Sequence, residues 1–207
     1  MRYATRAVVS TMGAIMGLAG LEHGLGEVLQ GNVAPRGIMF PSWPDSDFFR
    51  IVAGEPAMSI VPNLLVTGIL TIAISLIFAL WAIWFAQRRN GGLVLILLAI
   101  IMLLVGGGIF PPILGVILGA VGTCINQPLA WRRTNRPSGL SHILADAWPA
   151  LFGICLISWL CLFPGLNLFG YFLGVNDANL TVMVICLALG SLALTIVSGL
   201  VRDAQQI

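Results

Sequence analysis

The sequence predicts an all-α integral membrane protein of six transmembrane helices, and three observations carry that prediction. Of 207 residues, 58% are hydrophobic and only 9% are charged, with a mean hydropathy of +1.00. A soluble domain carries about 25% charged residues, so this inventory cannot clothe a water-facing surface. Residues free of Asp, Glu, Lys and Arg fall in long stretches, at 7–21, 56–87, 90–131, 147–176 and 178–201. A bilayer core of about 30 Å asks for roughly 20 apolar residues per helix. Finally, all ten cationic side chains are arginine, and most flank the apolar stretches in clusters.

Taken in order, the expected helices are about 6–29, 60–86, 91–108, 111–129, 145–165 and 179–201, in one polytopic membrane domain covering 1–207. The first begins "MRYATRAVVSTMGAIMGLAG", which has the charge pattern of a signal peptide. Leu18-Ala19-Gly20 makes a poor cleavage site, so the segment reads as a retained helix. The second is a plain apolar span. The stretch 90–131 is 42 residues without formal charge, broken by "GGGIFPP" at 106–112, which a continuous helix accommodates badly. Arg88 and Arg89 precede it; Arg132, Arg133 and Arg136 follow it. Positive-inside bias puts both clusters in the cytoplasm, so two spans are expected between them, with a re-entrant hairpin as the alternative. The fifth helix ends in an apolar, loop-like tail from Phe163-Pro164-Gly165 onward. Asn176, Asp177 and Asn179 supply N-cap candidates for the sixth.

With Arg2 and Arg6 inside, both termini are cytoplasmic, and only Arg36 and Arg50 lie outside. Trp81, Trp84, Trp131 and Trp148 fall at inner helix ends; Phe40, Trp43, Phe48 and Phe49 fall in the outer loop, where rings favour the headgroup level. That loop, 30–56, carries prolines at 35, 41, 44 and 56 beside Asp45, Asp47, Arg50 and Glu55. Its large apolar groups predict an ordered cap, since a floppy linker would have few.

Within this apolar chain, "LEHGLGEVLQG" at 21–31 places Glu22, His23 and Glu27 near the outer end of the first helix. A charge at the bilayer centre costs about 2.5–3.5 kcal/mol on the lenient insertion scale. Gly13, Gly17, Gly20 and Gly24 form a small-residue seam on this helix, and Gly115, Gly119 and Gly122 form another on the fourth. These seams are expected to meet each other or an equally close neighbour. Glu27 continues the first seam, so it faces protein, and His23 lies one turn earlier, within reach of it. Glu22 points about 140° away from Glu27 on a regular helix.

Several classes fall away. A formal net charge of +2 gives no support for nucleic-acid binding. The four cysteines, Cys124, Cys155, Cys161 and Cys186, form no CxxC pair and read as buried thiols. His23 and His142 are the only histidines and lie near opposite faces, so neither a haem nor another metal site is expected, and no cofactor. No catalytic motif is present, and an enzyme is the less favoured class. "WRRTNRPSGLSH" reads as a topology determinant at anionic headgroups. Two functions remain. One is transport of a small solute, cation or proton through a site at Glu27, His23 and Glu22. The other is an accessory or assembly subunit of the cell membrane that binds a second copy or another membrane protein through its glycine seams.

Overall fold

The structure, a computed structural model, describes residues 3–126, 139–175 and 177–205. Their regular secondary structure is helical apart from one short hairpin, with turns and loops at 31–38, 42–49 and 59–63. The helices are α1 (Tyr3–Gln30), α2 (Leu64–Trp84), α3 (Gly91–Leu104), α4 (Phe110–Thr123), α5 (Gly139–Leu160), α6 (Leu166–Leu173) and α7 (Ala178–Gln205). Strand β1 (Met39–Pro41) pairs antiparallel with β2 (Pro56–Met58), Phe40 opposite Ala57. Four helical stretches are long and apolar enough to cross a membrane: Tyr3–Gln30, Leu64–Trp84, Gly139–Leu173 and Ala178–Gln205.

Helices α3 and α4 are shorter than the sequence led us to expect. Each has 14 residues, about 21 Å at 1.5 Å per residue, which falls short of a core of about 30 Å. The reason lies in "VGGGI". Gly106 and Gly108 adopt positive φ (111° and 77°), and Pro111 and Pro112 occupy the first turn of α4, where a missing N–H is harmless. Helix α2 starts at Leu64 rather than near 60, because Asn63 caps it by accepting from the Val66 amide at 3.1 Å. The tail after Phe163 is no loop: it forms α6, closed by Gly174 in the left-handed conformation. Helix α5 begins at Gly139, so Asp146 sits beyond the first turn, where the helix dipole has faded. Asp177 is the residue that caps α7, accepting from the Asn179 amide at 2.8 Å. Asn176 and the arginines 132, 133 and 136 lie outside the described residues.

Residues 9–126 form one compact unit. Its seams follow the small residues. A Cβ on Gly13 would meet Ala82, one on Gly17 would meet Ala79 and Ser75, and one on Gly24 would meet Gly68 and Ile72, all on α2. Gly115 faces Ala99 and Phe78, Gly119 faces Ile96 and Gly92, and Gly122 faces Gly92. The two glycine seams therefore do not meet: α1 closes on α2, and α4 closes on α3. Phe78, Met12, Met16, Leu95, Met102 and Leu118 are fully buried among them. Trp81 donates to the Gly91 carbonyl at 3.1 Å, pinning the start of α3 beside the end of α2.

The described residues before 9 and after 126 form the second unit. Its main contact is α5 against α7, where Trp159 donates to the Ala188 carbonyl and Thr195 to the Leu151 carbonyl. Arg202 stacks over Trp148 and donates to the Ala145 carbonyl. Buried Asp203 accepts from the amides of Ala4 and Thr5 at 3.0 and 2.8 Å. A side chain from the far end of the sequence thus caps the start of α1. Of the cysteines, only Cys155 is buried; Cys161 and Cys186 are exposed, and Cys124 is intermediate. Lipid-facing surface suits an apolar thiol as well as a core does.

Candidate functional site

The cap between α1 and α2 is ordered, as its composition requires. Ser42 and Trp43 donate from their backbone to the carbonyls of Glu55 and Gly54, extending the pairing of β1 with β2. A 3-10 turn at Arg50–Val52 leads into Ala53, Gly54 and Glu55, all at positive φ. Left-handed backbone at two non-glycine residues is strained and marks sites where the surrounding structure dictates conformation. Here the dictating bonds are Ala53 N–H to Arg50, Gly54 N–H to Phe49 and Glu55 N–H to Val52. Phe40 and Phe49 are buried, and Trp43 stacks on Phe49 with centroids 4.9 Å apart. These rings form the cap's own core, where the sequence suggested membrane-interface anchors.

The cap is docked onto α1. A Cβ on Gly26 would strike the Ser42 carbonyl and the Trp43 ring, so only glycine lets the loop lie this close. Gln30 donates to the Ser42 carbonyl at 2.8 Å and to that of Pro41 at 3.3 Å. This docking turns Ser42, Trp43 and Glu55 onto the polar face of α1.

Both imidazole nitrogens of His23 are used there. Nδ1 lies 3.0 Å from the Ser42 hydroxyl, and Nε2 lies 3.0 Å from Glu55 Oε2. The His23 side chain is 4% exposed and that of Glu55 15%, so the pair is shielded from solvent. Glu22 turns its carboxylate toward Glu55 and the Trp43 indole. Both of its oxygens are buried and accept no bond from an N–H or O–H donor in good geometry, the Trp43 indole included, and the Glu55 carboxyl can bond Glu22 only through a proton the two share. Among the described residues, Glu22, His23 and Glu55 are the one group of three that could hold a metal ion, with a ligand atom of each within 4.8 Å of the others.

Glu27 is fully buried and sits deeper, against Gly106 in the turn between α3 and α4. Thr71 of α2 reaches Glu27 Oε2 at 3.3 Å, yet the same hydroxyl makes a shorter bond to the Val105 carbonyl. One hydroxyl hydrogen cannot fully serve two acceptors. The Glu27 contact therefore calls for a shared hydrogen or a proton on the carboxyl. Ser42 also lies beside Glu27, while Glu27 Oε1 has no partner. The remaining wall is the 105–109 turn: Gly106 adjoins Glu27 and Gly108 adjoins the His23 ring. The turn's carbonyls are largely engaged, Val105 by Thr71 and Gly106 by the Gly108 amide. They add little ligand capacity.

Comparison with known proteins brings no relative to bear on this site. No family model, curated protein or solved structure matches the chain.

The three ionisable residues singled out in α1 thus lie around one buried region but play different parts. His23 and Glu27 share a helix face without bonding to each other, because Ser42 and Glu55 occupy the imidazole. Helix α1 is continuous from Tyr3 to Gln30, so Glu22 keeps its angular separation from Glu27 and joins Glu55 instead. Glu55 is the residue sequence reasoning missed as a site member. Its only signal was an acidic residue in a loop rich enough in apolar groups to fold back.

Proposed function

We propose that this chain is a multi-pass membrane protein that takes up a cation or proton at an occluded site beneath its cap, and carries it as a small transporter. The observation that carries this reading is the set of buried carboxylate oxygens without partners, two on Glu22 and one on Glu27. A buried carboxylate without compensation is costly enough that it takes up a proton or pairs with a cation. Among the described residues, His23 is the only basic side chain paired with any of the three carboxylates. In this arrangement Glu55 is the entry ligand, His23 the relay and Glu27 the innermost acceptor.

The topology supports access from the cap side. Thr71 and Thr67 of α2 adjoin Val105 and Gly106, and the Leu104 carbonyl accepts from the Ile60 amide, so the α3–α4 tip lies beside the first two turns of α2 and the chain leaving the cap. We read α3–α4 as a short hairpin entering from the arginine-rich cytoplasmic side and ending at the site. Irregular backbone at membrane depth is tolerated where it lines such a site. The membrane is taken to be the cell membrane, with the cap outside.

The alternative, an accessory subunit without transport, is favoured by one observation. Beyond Thr71 the interior of the unit passes to fully buried apolar groups, Phe78 and Met102 among them, with the hydroxyls of Ser75 and Ser10 among its buried polar side-chain atoms. Against it, the glycine seams proposed as its docking surface are already filled by α2 and α3. Glu27→Gln separates the two. The transport reading expects folded protein at normal yield with cation or proton flux in proteoliposomes reduced at least about tenfold. Parallel loss of fold and flux would assign Glu27 a structural role.

A further inference from the structure

We propose that Glu22, His23 and Glu55 form a binding site for a divalent first-row transition cation, for which Zn²⁺ is the probe. This rests on the reading of the cluster as a cation site and names the class of cation. The donor set is one imidazole nitrogen and two carboxylates, a ligand group from the cap completing two from α1. Imidazole suits zinc and its neighbours, whereas magnesium and calcium prefer all-oxygen sets. Ligand bonds of about 2.0–2.2 Å put two donors on one ion about 3–3.6 Å apart. His23 Nε2 and Glu55 Oε2 already stand at 3.0 Å, and the whole set lies within 4.8 Å. Rotation of the Glu22 side chain closes it.

The surroundings of the three donors bear on their occupant. Ser42 holds Nδ1 of His23 at 3.0 Å, the outer-shell bond that leaves Nε2 free to ligate. Gly108 packs its backbone against the imidazole, where a Cβ would meet the ring, and so holds the ring in place. Glu27, fully buried with Oε1 unpartnered, lies within electrostatic reach of Glu22. The Glu22 and Glu55 carboxyls lie side by side next to one imidazole, an arrangement that a divalent ion compensates in place of the proton that otherwise separates the two carboxyls.

The test is equilibrium binding of Zn²⁺ to the untagged, full-length protein in detergent, followed by calorimetry. The expected result is one saturable site per chain that Mg²⁺ does not compete for. Glu55→Gln and His23→Gln should weaken it by at least about 100-fold, and Ser42→Ala by about 10- to 100-fold. Asp47→Asn, an exposed acid of the same cap, should leave affinity unchanged. X-ray absorption of the zinc-loaded, unmutated protein is independent of how the variants fold, and should show one imidazole with otherwise oxygen ligands. Absence of saturable binding, unchanged affinity in Glu55→Gln, or a sulfur ligand would overturn the site. Zinc binding without flux of any cation leaves the site standing and removes the transport reading. Proton flux that Zn²⁺ neither binds to nor blocks does the reverse.

Discussion

At the scale of single residues, the main lesson is how far a side chain's role depends on a partner remote in sequence. His23 is fixed by Ser42 and Glu55 of the cap, and α1 is capped by Asp203 near the other end of the chain. Asp203→Ala should leave two buried amides unpaired, at about 1–3 kcal/mol, and lower the melting temperature in detergent. Asp203→Asn, which keeps one acceptor oxygen, should fall between. Equal stability of all three proteins would show that the cap contributes nothing. Gly108→Ala should destabilise through two effects, a left-handed φ of 77° and a methyl group against the His23 ring. The polar cluster on α1 was legible because ionisable residues stand out in an apolar stretch. Glu55 was not, because its placement depends on a strained turn whose bonds are all made by backbone groups.

At the scale of elements, small residues decide which helices touch. Gly17→Leu should disrupt α1 against α2, since even a Cβ there would meet Ala79 and the Ser75 carbonyl; overpacking a tight contact typically costs about 1–3 kcal/mol. Gly190→Ala on α7 has open space around it, and should be neutral or slightly stabilising, by up to about 1 kcal/mol, because alanine is the better helix former. Thermal unfolding of the two variants side by side checks the contrast. Seam residues could be read from spacing; seam partners could not, because glycine periodicity marks a close approach without saying who approaches. Helix ends were read less well for a related reason. The break at 106–112 is legible from its glycines and prolines, but the sequence reading carries the third helix to 108, whereas it ends at Leu104 and Gly106 and Gly108 already lie in the turn. The apolar run after Phe163 gave no sign of the separate turns of α6.

At the scale of the whole molecule, composition alone fixes the membrane class, and four helical stretches have the length and apolarity to cross. Sidedness is a proposal from the arginine distribution, and it makes a direct prediction. A cysteine at Asp47 in the cap should react with an impermeant maleimide on intact cells. One at Asn90, between α2 and α3, should react only after permeabilisation. Reaction of both from outside would reverse or break the proposed topology.

The central claim is that the cap closes a cation or proton site whose carboxylates lack internal partners. Its most direct test is uptake by the unmutated protein in sealed proteoliposomes, with proton entry followed by a trapped pH dye and Zn²⁺ entry by a trapped metal indicator. Saturable uptake of at least one of the two above protein-free vesicles is expected. Uptake of both at the protein-free rate, by protein shown to be folded and inserted, would contradict it.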